Sequence, residues 1–225
     1  MKKGTLFGVG VGPGDPELMT IKAVNTARSA DVLALPQKDI AKCTAFKIAA
    51  AAVPELTQKP LLPIDMPMTK DPVILEEKYA AGAALLEREL DAGKNVCFLT
   101  LGDPTVYSTY LYLHDKVRSD GYDAVIVPGV PSFCAAAAAL GIPLCENREQ
   151  LHIIPGTYEP TQALSLPGVK VLMKNNLPAT LPALREQGKR VYMAENCGME
   201  NQRLFYPGEG LPTDAGYFSV LIVKD

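Results

Sequence analysis

Val127-Pro128-Gly129-Val130-Pro131-Ser132-Phe133-Cys134-Ala135 decides the reading of this chain. An apolar run ends in a Pro-Gly turn, and Pro131-Ser132 then opens a helix of small residues that closes at Gly141. The same grammar occurs twice upstream. Thr5 to Val11 is a short apolar strand that runs into Gly10-Val11-Gly12-Pro13-Gly14-Asp15, and Asn95 to Leu101 is another that runs into Gly102-Asp103-Pro104-Thr105-Val106-Tyr107. Strand, tight loop, helix N-terminus is how α/β proteins build ligand sites at the carboxyl ends of their strands. Three such loops in one chain point to a small-molecule site.

Working outward, the pattern predicts further elements. Asp15-Pro16-Glu17 reads as a helix start, with Asp as cap and Pro at the first helical position, and the helix is expected to run to about Ala30 with Leu18, Ile21, Ala23 (or Val24) and Ala27 inward. Asp31 to Leu35 is a second strand, Ala41 to Ala52 a helix, Pro60 to Pro72 a proline-rich loop, and Val73 to Ala92 a long helix stopped by Gly93. Asp103-Pro104 repeats the Asp-Pro start and predicts a helix to about Ser119, followed by a strand over 124–127. Leu151 to Ile154, Val169 to Met173, Arg190 to Ala194 and Phe218 to Val223 read as strands, with a helix over Leu177 to Gln187. The expected architecture is two α/β domains, residues 1–119 and 120–225, with the ligand crevice between them.

Composition narrows the function. The 225 residues are 48% hydrophobic and carry a net charge of −3, and no stretch concentrates Lys or Arg, so nucleic acid is not an expected partner. No apolar run approaches the length of a membrane span. The five cysteines, Cys43, Cys97, Cys134, Cys145 and Cys197, are widely spaced without a C-x-x-C pair. That argues against a disulfide scaffold and for a reducing, cytoplasmic setting, and says nothing about metals.

The first glycine loop fails as a dinucleotide fingerprint. Starting G-x-G-x-x-G at Gly8 requires glycine where Pro13 stands, and starting at Gly10 requires it where Asp15 stands. The two histidines, His114 and His152, sit in no nucleophile–base context. Without an activated nucleophile, the pattern favours chemistry in which a cosubstrate supplies the reactive group and the protein supplies orientation.

The segments G-V-G-V-G-P-G-D-P-E-L-M-T-I-K-A at 8–23, L-G-D-P-T-V-Y-S-T-Y at 101–110, P-G-V-P-S-F-C-A-A-A-A-A-L-G-I-P-L at 128–144 and A-E-N-C-G at 194–198 together resemble the tetrapyrrole methyltransferase family. The resemblance spans nearly the whole chain. It implies a usually homodimeric two-domain α/β protein that uses S-adenosylmethionine (SAM) and releases S-adenosylhomocysteine. The second and third segments look most like the branch that methylates C20 of precorrin-2, or of its cobalt-containing counterpart cobalt-factor II, in cobalamin biosynthesis. Other methyltransferases of the same fold (another ring position, diphthine or ribosomal RNA) and a non-catalytic SAM or tetrapyrrole sensor remain the alternatives.

Carried over by position, the resemblance implies that Pro13 touches the cofactor region from the first loop and that Leu101, Gly102 and Asp103, with Val106 beside them, hold the methionine end of SAM. Ser132 and Phe133 fall where the third loop meets the cofactor, and Met173, Ala194 and Cys197 line the adenosine pocket. Asp15 and Tyr107 are candidates to orient the macrocycle or accept its proton, and Lys38, Lys174 and Arg203 to meet its carboxylates. In sirohaem-forming relatives an Asp after the second strand is a proposed base. Here that place is Pro36, so the role is not carried over.

Overall fold

The computed structural model describes residues 2–225 apart from 68, 70, 157, 174–176 and 187. The chain divides into two compact units, 1–131 and 132–225. The division falls after Pro131 rather than near residue 119, because the strand that follows 120 pairs into the first sheet.

The first unit alternates strand and helix: β1 (Thr5–Gly10), α1 (Ile21–Ser29), β2 (Val32–Leu35), α2 (Thr44–Ala52), β3 (Leu61–Pro63), α3 (Pro72–Asp91), β4 (Val96–Thr100), α4 (Tyr110–Ser119) and β5 (Asp123–Val127). The strands form one sheet in the order β3-β2-β4-β1-β5, and every pairing is parallel. Parallel sheets bury both faces, and the sequence obeys this by placing alternate residues of each strand in different cores. Val9, Leu33, Leu35, Cys97 and Leu99 pack with Ala23 and Ala27 of α1 and Ile48 and Ala49 of α2. Leu6, Val32, Ala34, Val96 and Phe98 pack with Ala83, Leu86 and Leu90 of α3 and Tyr110, Leu113 and Val117 of α4. Each large side chain buried in this way contributes about 1.5–3 kcal/mol. Gly8 is required on the second face, because a Cβ there would lie 1.9 Å from Cε1 of Tyr110.

Three local expectations are corrected. The helix expected from Asp15 to Ala30 is split into a 3-10 turn at Pro16–Leu18 and α1, which Thr20 caps by accepting from the Ala23 amide at 3.1 Å. The break turns Ile21 outward, where it is 81% exposed. The helix expected after Asp103 begins only at Tyr110. The proline-rich stretch at 60–72 holds β3, an edge strand, where a ladder tolerates proline.

The second unit comprises α5 (Ser132–Leu140), β6 (Leu151–Pro155), α6 (Pro160–Ser165), β7 (Val169–Met173), α7 (Leu177–Glu186), β8 (Arg190–Glu195), β9 (Arg203–Phe205) and β10 (Ser219–Lys224). Its sheet runs β6-β7-β10-β8-β9, parallel only between β6 and β7. Alanine-rich α5 packs on β8 and β10, and Leu164 of α6 and Leu184 of α7 pack with Leu172, Met193, Leu221 and Val223 of the sheet. Among the described residues, no helix is long and apolar enough to cross a membrane.

Candidate active site

In the first unit, neighbouring strands β1 and β4 send their chains to opposite faces of the sheet: α1 belongs to one core and α4 to the other. This is a topological switch point, and the carboxyl ends of strands at such a point are where open α/β sheets take their ligands. The loops around it are knitted together through the backbone. Gly12 and Gly102 exchange both of their hydrogen bonds, the Gly102 amide donating to the Gly12 carbonyl at 2.8 Å and the Gly12 amide donating in return at 3.3 Å. Gly102 adopts φ +70°, a conformation that glycine reaches without strain. A Cβ on Gly129 would stand 2.2 Å from the Gly102 carbonyl oxygen, and one on Gly10 would stand 2.7 Å from the Gly129 amide nitrogen. All three loops therefore meet at van der Waals contact of bare backbone.

Asp103 secures that junction. One carboxylate oxygen accepts from the Thr105 amide at 2.7 Å and from the Thr105 hydroxyl; the other accepts from the Gly129 amide at 3.0 Å, across 26 residues of chain. Asp103 is 8% exposed and is not the cap of a helix. It closes an Asx turn and ties the β4 loop to the β5 loop. Thr105 and Gly129 were not singled out from the sequence. A hydroxyl residue two positions after an Asp is the signal that could have found the first of them. Thr20 adds a weaker tie, its hydroxyl donating to the Pro128 carbonyl at 3.4 Å.

The remaining first-unit candidates surround this junction in sequence. Pro13 is buried in the β1 loop, while Leu101 and Val106 are half-buried in the β4 loop. Asp15 caps the 3-10 turn by accepting from the Glu17 amide at 2.9 Å. Tyr107 is 42% exposed and held at φ +48°, an uncommon conformation for a residue with a side chain. Strain of this kind concentrates at functional loops. Lys38 is ion-paired to Asp65 at 2.9 Å.

In the second unit, Ser132 and Phe133 form the first turn of α5, with Phe133 buried. Met173 ends β7 and is paired to Val220, which on its other side pairs to Ala194. Met173, Val220 and Ala194 thus occupy one row across β7, β10 and β8, all buried, and Cys197 follows two residues after β8. Next to Ala194, the Glu195 carboxylate accepts from Arg203 and from the Gly216 amide, each at 2.5 Å, and Arg203 also pairs with Asp214 at 3.3 Å. Arg203 is thereby committed to holding β8, β9 and the segment before β10 together, and its guanidinium is held above its usual range chiefly by Glu195. Lys174 lies outside the described residues.

Neither histidine is set beside a nucleophile. His114 lies under the sheet with Nδ1 3.1 Å from the Tyr110 hydroxyl, and His152 meets the Pro167 carbonyl at 2.9 Å. Burial pushes the thiols of Cys43 and Cys134 up, away from reactive thiolate. No three His, Cys, Asp or Glu among the described residues are grouped to hold a metal. What the geometry offers is a junction of backbone held at close contact at the sheet's switch point, suited to aligning a ligand that brings its own reactive group.

A doubly faced parallel sheet with a glycine-lined switch point, followed by a mixed-sheet unit, defines an α/β ligand-binding protein. Residues 5–209 match the family described as Tetrapyrrole (Corrin/Porphyrin) Methylases, and the chain belongs to that family and has its fold. It is 34% identical to the cobalamin biosynthesis protein CobIJ of Mycobacterium tuberculosis, over 98% of this chain but 46% of that protein. The chain thus spans about half the length of that relative. It is 31% identical to the precorrin-2 C(20)-methyltransferase of a Sinorhizobium species, over 98% of this chain and 95% of that enzyme. Among solved structures it is similar to uroporphyrin-III-C-methyltransferase from Thermus thermophilus, with a TM-score of 0.71 and 25% identity, covering 100% of this chain and 93% of that one.

Proposed function

We propose that this chain transfers a methyl group from SAM to C20 of precorrin-2, or of cobalt-factor II, in cobalamin biosynthesis. The observation that carries the reading is similarity along nearly the full length of both chains to an enzyme named for that carbon. SAM supplies a methyl group already activated as a sulfonium. No enzyme nucleophile is then required, because the departing sulfur keeps the bonding pair. What is required of the chain is collinear placement, exclusion of water and acceptance of the proton that C20 loses.

The residues take the following parts in this reading. Pro13, Leu101, Gly102, Asp103 and Val106 surround the methionine end, with Asp103 acting by fixing the loop. Ser132 and Phe133 meet the donor from α5, and the row containing Met173 and Ala194, with Cys197, receives the adenosine. Asp15 and Tyr107 orient the macrocycle or accept its proton. The first unit presents the loops that face the tetrapyrrole and the methionine end of the donor, and the second contacts the donor through α5 and its sheet. The enzyme works as a homodimer in the cytoplasm, a setting consistent with cysteines that are widely spaced without a C-x-x-C pair.

Thermal denaturation tests the donor assignment. SAM and S-adenosylhomocysteine raise the melting temperature, since a ligand in hundredfold excess over its dissociation constant stabilises the folded state by about 2.7 kcal/mol. NAD and ATP leave it unchanged. A response to NAD with none to SAM overturns the assignment, and SAM binding without any S-adenosylhomocysteine in the presence of macrocycle identifies a sensor instead.

A further inference from the structure

Two ammonium groups converge on one carboxylate atom in the first unit. Lys38 Nζ lies 2.9 Å and Lys78 Nζ 2.7 Å from the same Asp65 oxygen. Lys38 follows β2, Asp65 follows the adjacent parallel strand β3, and Lys78 lies near the start of α3, the helix that leaves β3. Topology therefore places all three at the carboxyl edge of the sheet, the edge at which such sheets take their ligands. The Asp65 carboxyl is held below the usual carboxylate range by Lys78 and Lys38, so it stays charged. Counted by itself the trio carries a net charge of one positive unit, and the Lys38 side chain is 71% exposed. The same edge presents an aromatic face: Tyr79, next to Lys78, stacks on Tyr112 of the first turn of α4 at 4.9 Å and 9°, with Tyr112 60% exposed.

Exposed ion pairs add little to stability, so holding the fold is a weak reason for two lysines on one oxygen. A second carboxylate entering between the ammonium groups meets net attraction and need not displace the first. We propose that Lys38 and Lys78 receive a carboxylate arm of the macrocyclic substrate, with Asp65 the internal anion that keeps both lysines in place before the substrate arrives. This assignment rests on the tetrapyrrole reading above. Glu77, the other acid whose field reaches Lys78, disfavours any anion there and sets a limit on affinity. Neither Asp65 nor Lys78 was marked by the sequence, because the trio joins a strand end, a proline-rich loop and a helix.

The test uses sirohydrochlorin as the free acid and as its methyl ester, titrated by macrocycle fluorescence at low and at physiological salt. Wild type binds the acid more tightly than the ester, and the preference shrinks with salt. The double variant Lys38→Met/Lys78→Met weakens acid binding roughly tenfold or more while leaving ester binding unchanged, and arginine at both positions restores it. Asp65→Asn tightens acid binding, the opposite of what a purely structural tie gives. Absence of an acid preference in wild type, an unchanged double variant, or weaker acid binding by Asp65→Asn overturns the proposal. Turnover to S-adenosylhomocysteine by wild type separates the two readings. If wild type turns over while the double variant keeps the wild-type KM, the carboxylate receptor fails and the methyltransferase stands. If wild type forms no S-adenosylhomocysteine with any macrocycle, the methyltransferase reading itself fails.

Discussion

The Asp103 carboxylate accepts a hydrogen bond from the Gly129 amide at 3.0 Å, while its other oxygen is held by Thr105. Both oxygens face N–H donors, and this decides how the position responds to change. Asparagine replaces one oxygen by a donor, so whichever way the amide is turned, an N–H group opposes another. Asp103→Asn is therefore expected to lower stability by about 1–3 kcal/mol, the range for a part-buried donor left unsatisfied. At a simple helix cap the same change is almost neutral. Urea denaturation of the two proteins checks this, and an unchanged midpoint returns Asp103 to a peripheral role.

Gly129 tests the contact between the loops by bulk alone. Gly129→Ala places a methyl 2.2 Å from the Gly102 carbonyl oxygen and 2.8 Å from the Gly10 carbonyl carbon, all backbone that cannot swing aside. A loss of about 1–3 kcal/mol or more is expected. Gly121→Asn is the control. Nothing would stand within 4 Å of its Cβ, and asparagine tolerates the positive φ of 85°. Comparable losses in both variants contradict the packing argument.

Acid stability follows from His114. Burial holds its imidazole below the ordinary 6.5, with Asp115 opposing and Arg118 reinforcing the shift. The unfolded chain then binds the proton more readily, so stability contributed by neutral His114 is present above about pH 6.5 and is lost as pH falls toward the depressed folded value. Below that value the loss levels off. The wild-type denaturation midpoint should fall more steeply over this window than that of His114→Gln. Parallel pH profiles for the two proteins would rule the account out.

In the second unit, Lys170 is completely buried and donates to Asp225 at 2.6 Å, and Lys189 meets the same carboxylate oxygen at 2.9 Å. Together they hold the Asp225 carboxyl far below its usual range. Removing the shared anion strands a buried ammonium, so Asp225→Ala is expected to cost about 1–3 kcal/mol, less than for a wholly interior pair because Asp225 is half exposed. Lys170→Met leaves Asp225 with Lys189 and should be close to neutral. Calorimetric melting of both variants measures the asymmetry, and a larger loss from Lys170→Met would reverse the argument.

Much of the fold could be read from the chain because its strands are buried on both faces and bounded by Gly and Pro. The predicted strand over 5–11 is observed at Thr5–Gly10, and the helix predicted over 73–92 at Pro72–Asp91. Failures arose where a local signal had two physical outcomes. Asp-Pro before an apolar stretch can start a helix or close an Asx turn. At Asp15 it caps only a 3-10 turn, and at Asp103 the side chain is taken by Thr105 and Gly129 instead. β3 and β9 have three residues each, too short for a period to show. Of the candidate site, the glycine loops were legible from their own composition. The Glu195–Arg203–Asp214 network was not, because strand pairing and the fold of the chain before β10 assemble it.

The central claim is methylation of one particular carbon, and the position of a transferred label tests it most directly. The purified chain is incubated with methyl-labelled SAM and, in parallel, with precorrin-2 and cobalt-factor II, and the product is examined by NMR. The account predicts label on C20 with one S-adenosylhomocysteine formed for each labelled macrocycle, from at least one of the two substrates. Label at another ring position, or no label transfer with either macrocycle, would contradict it.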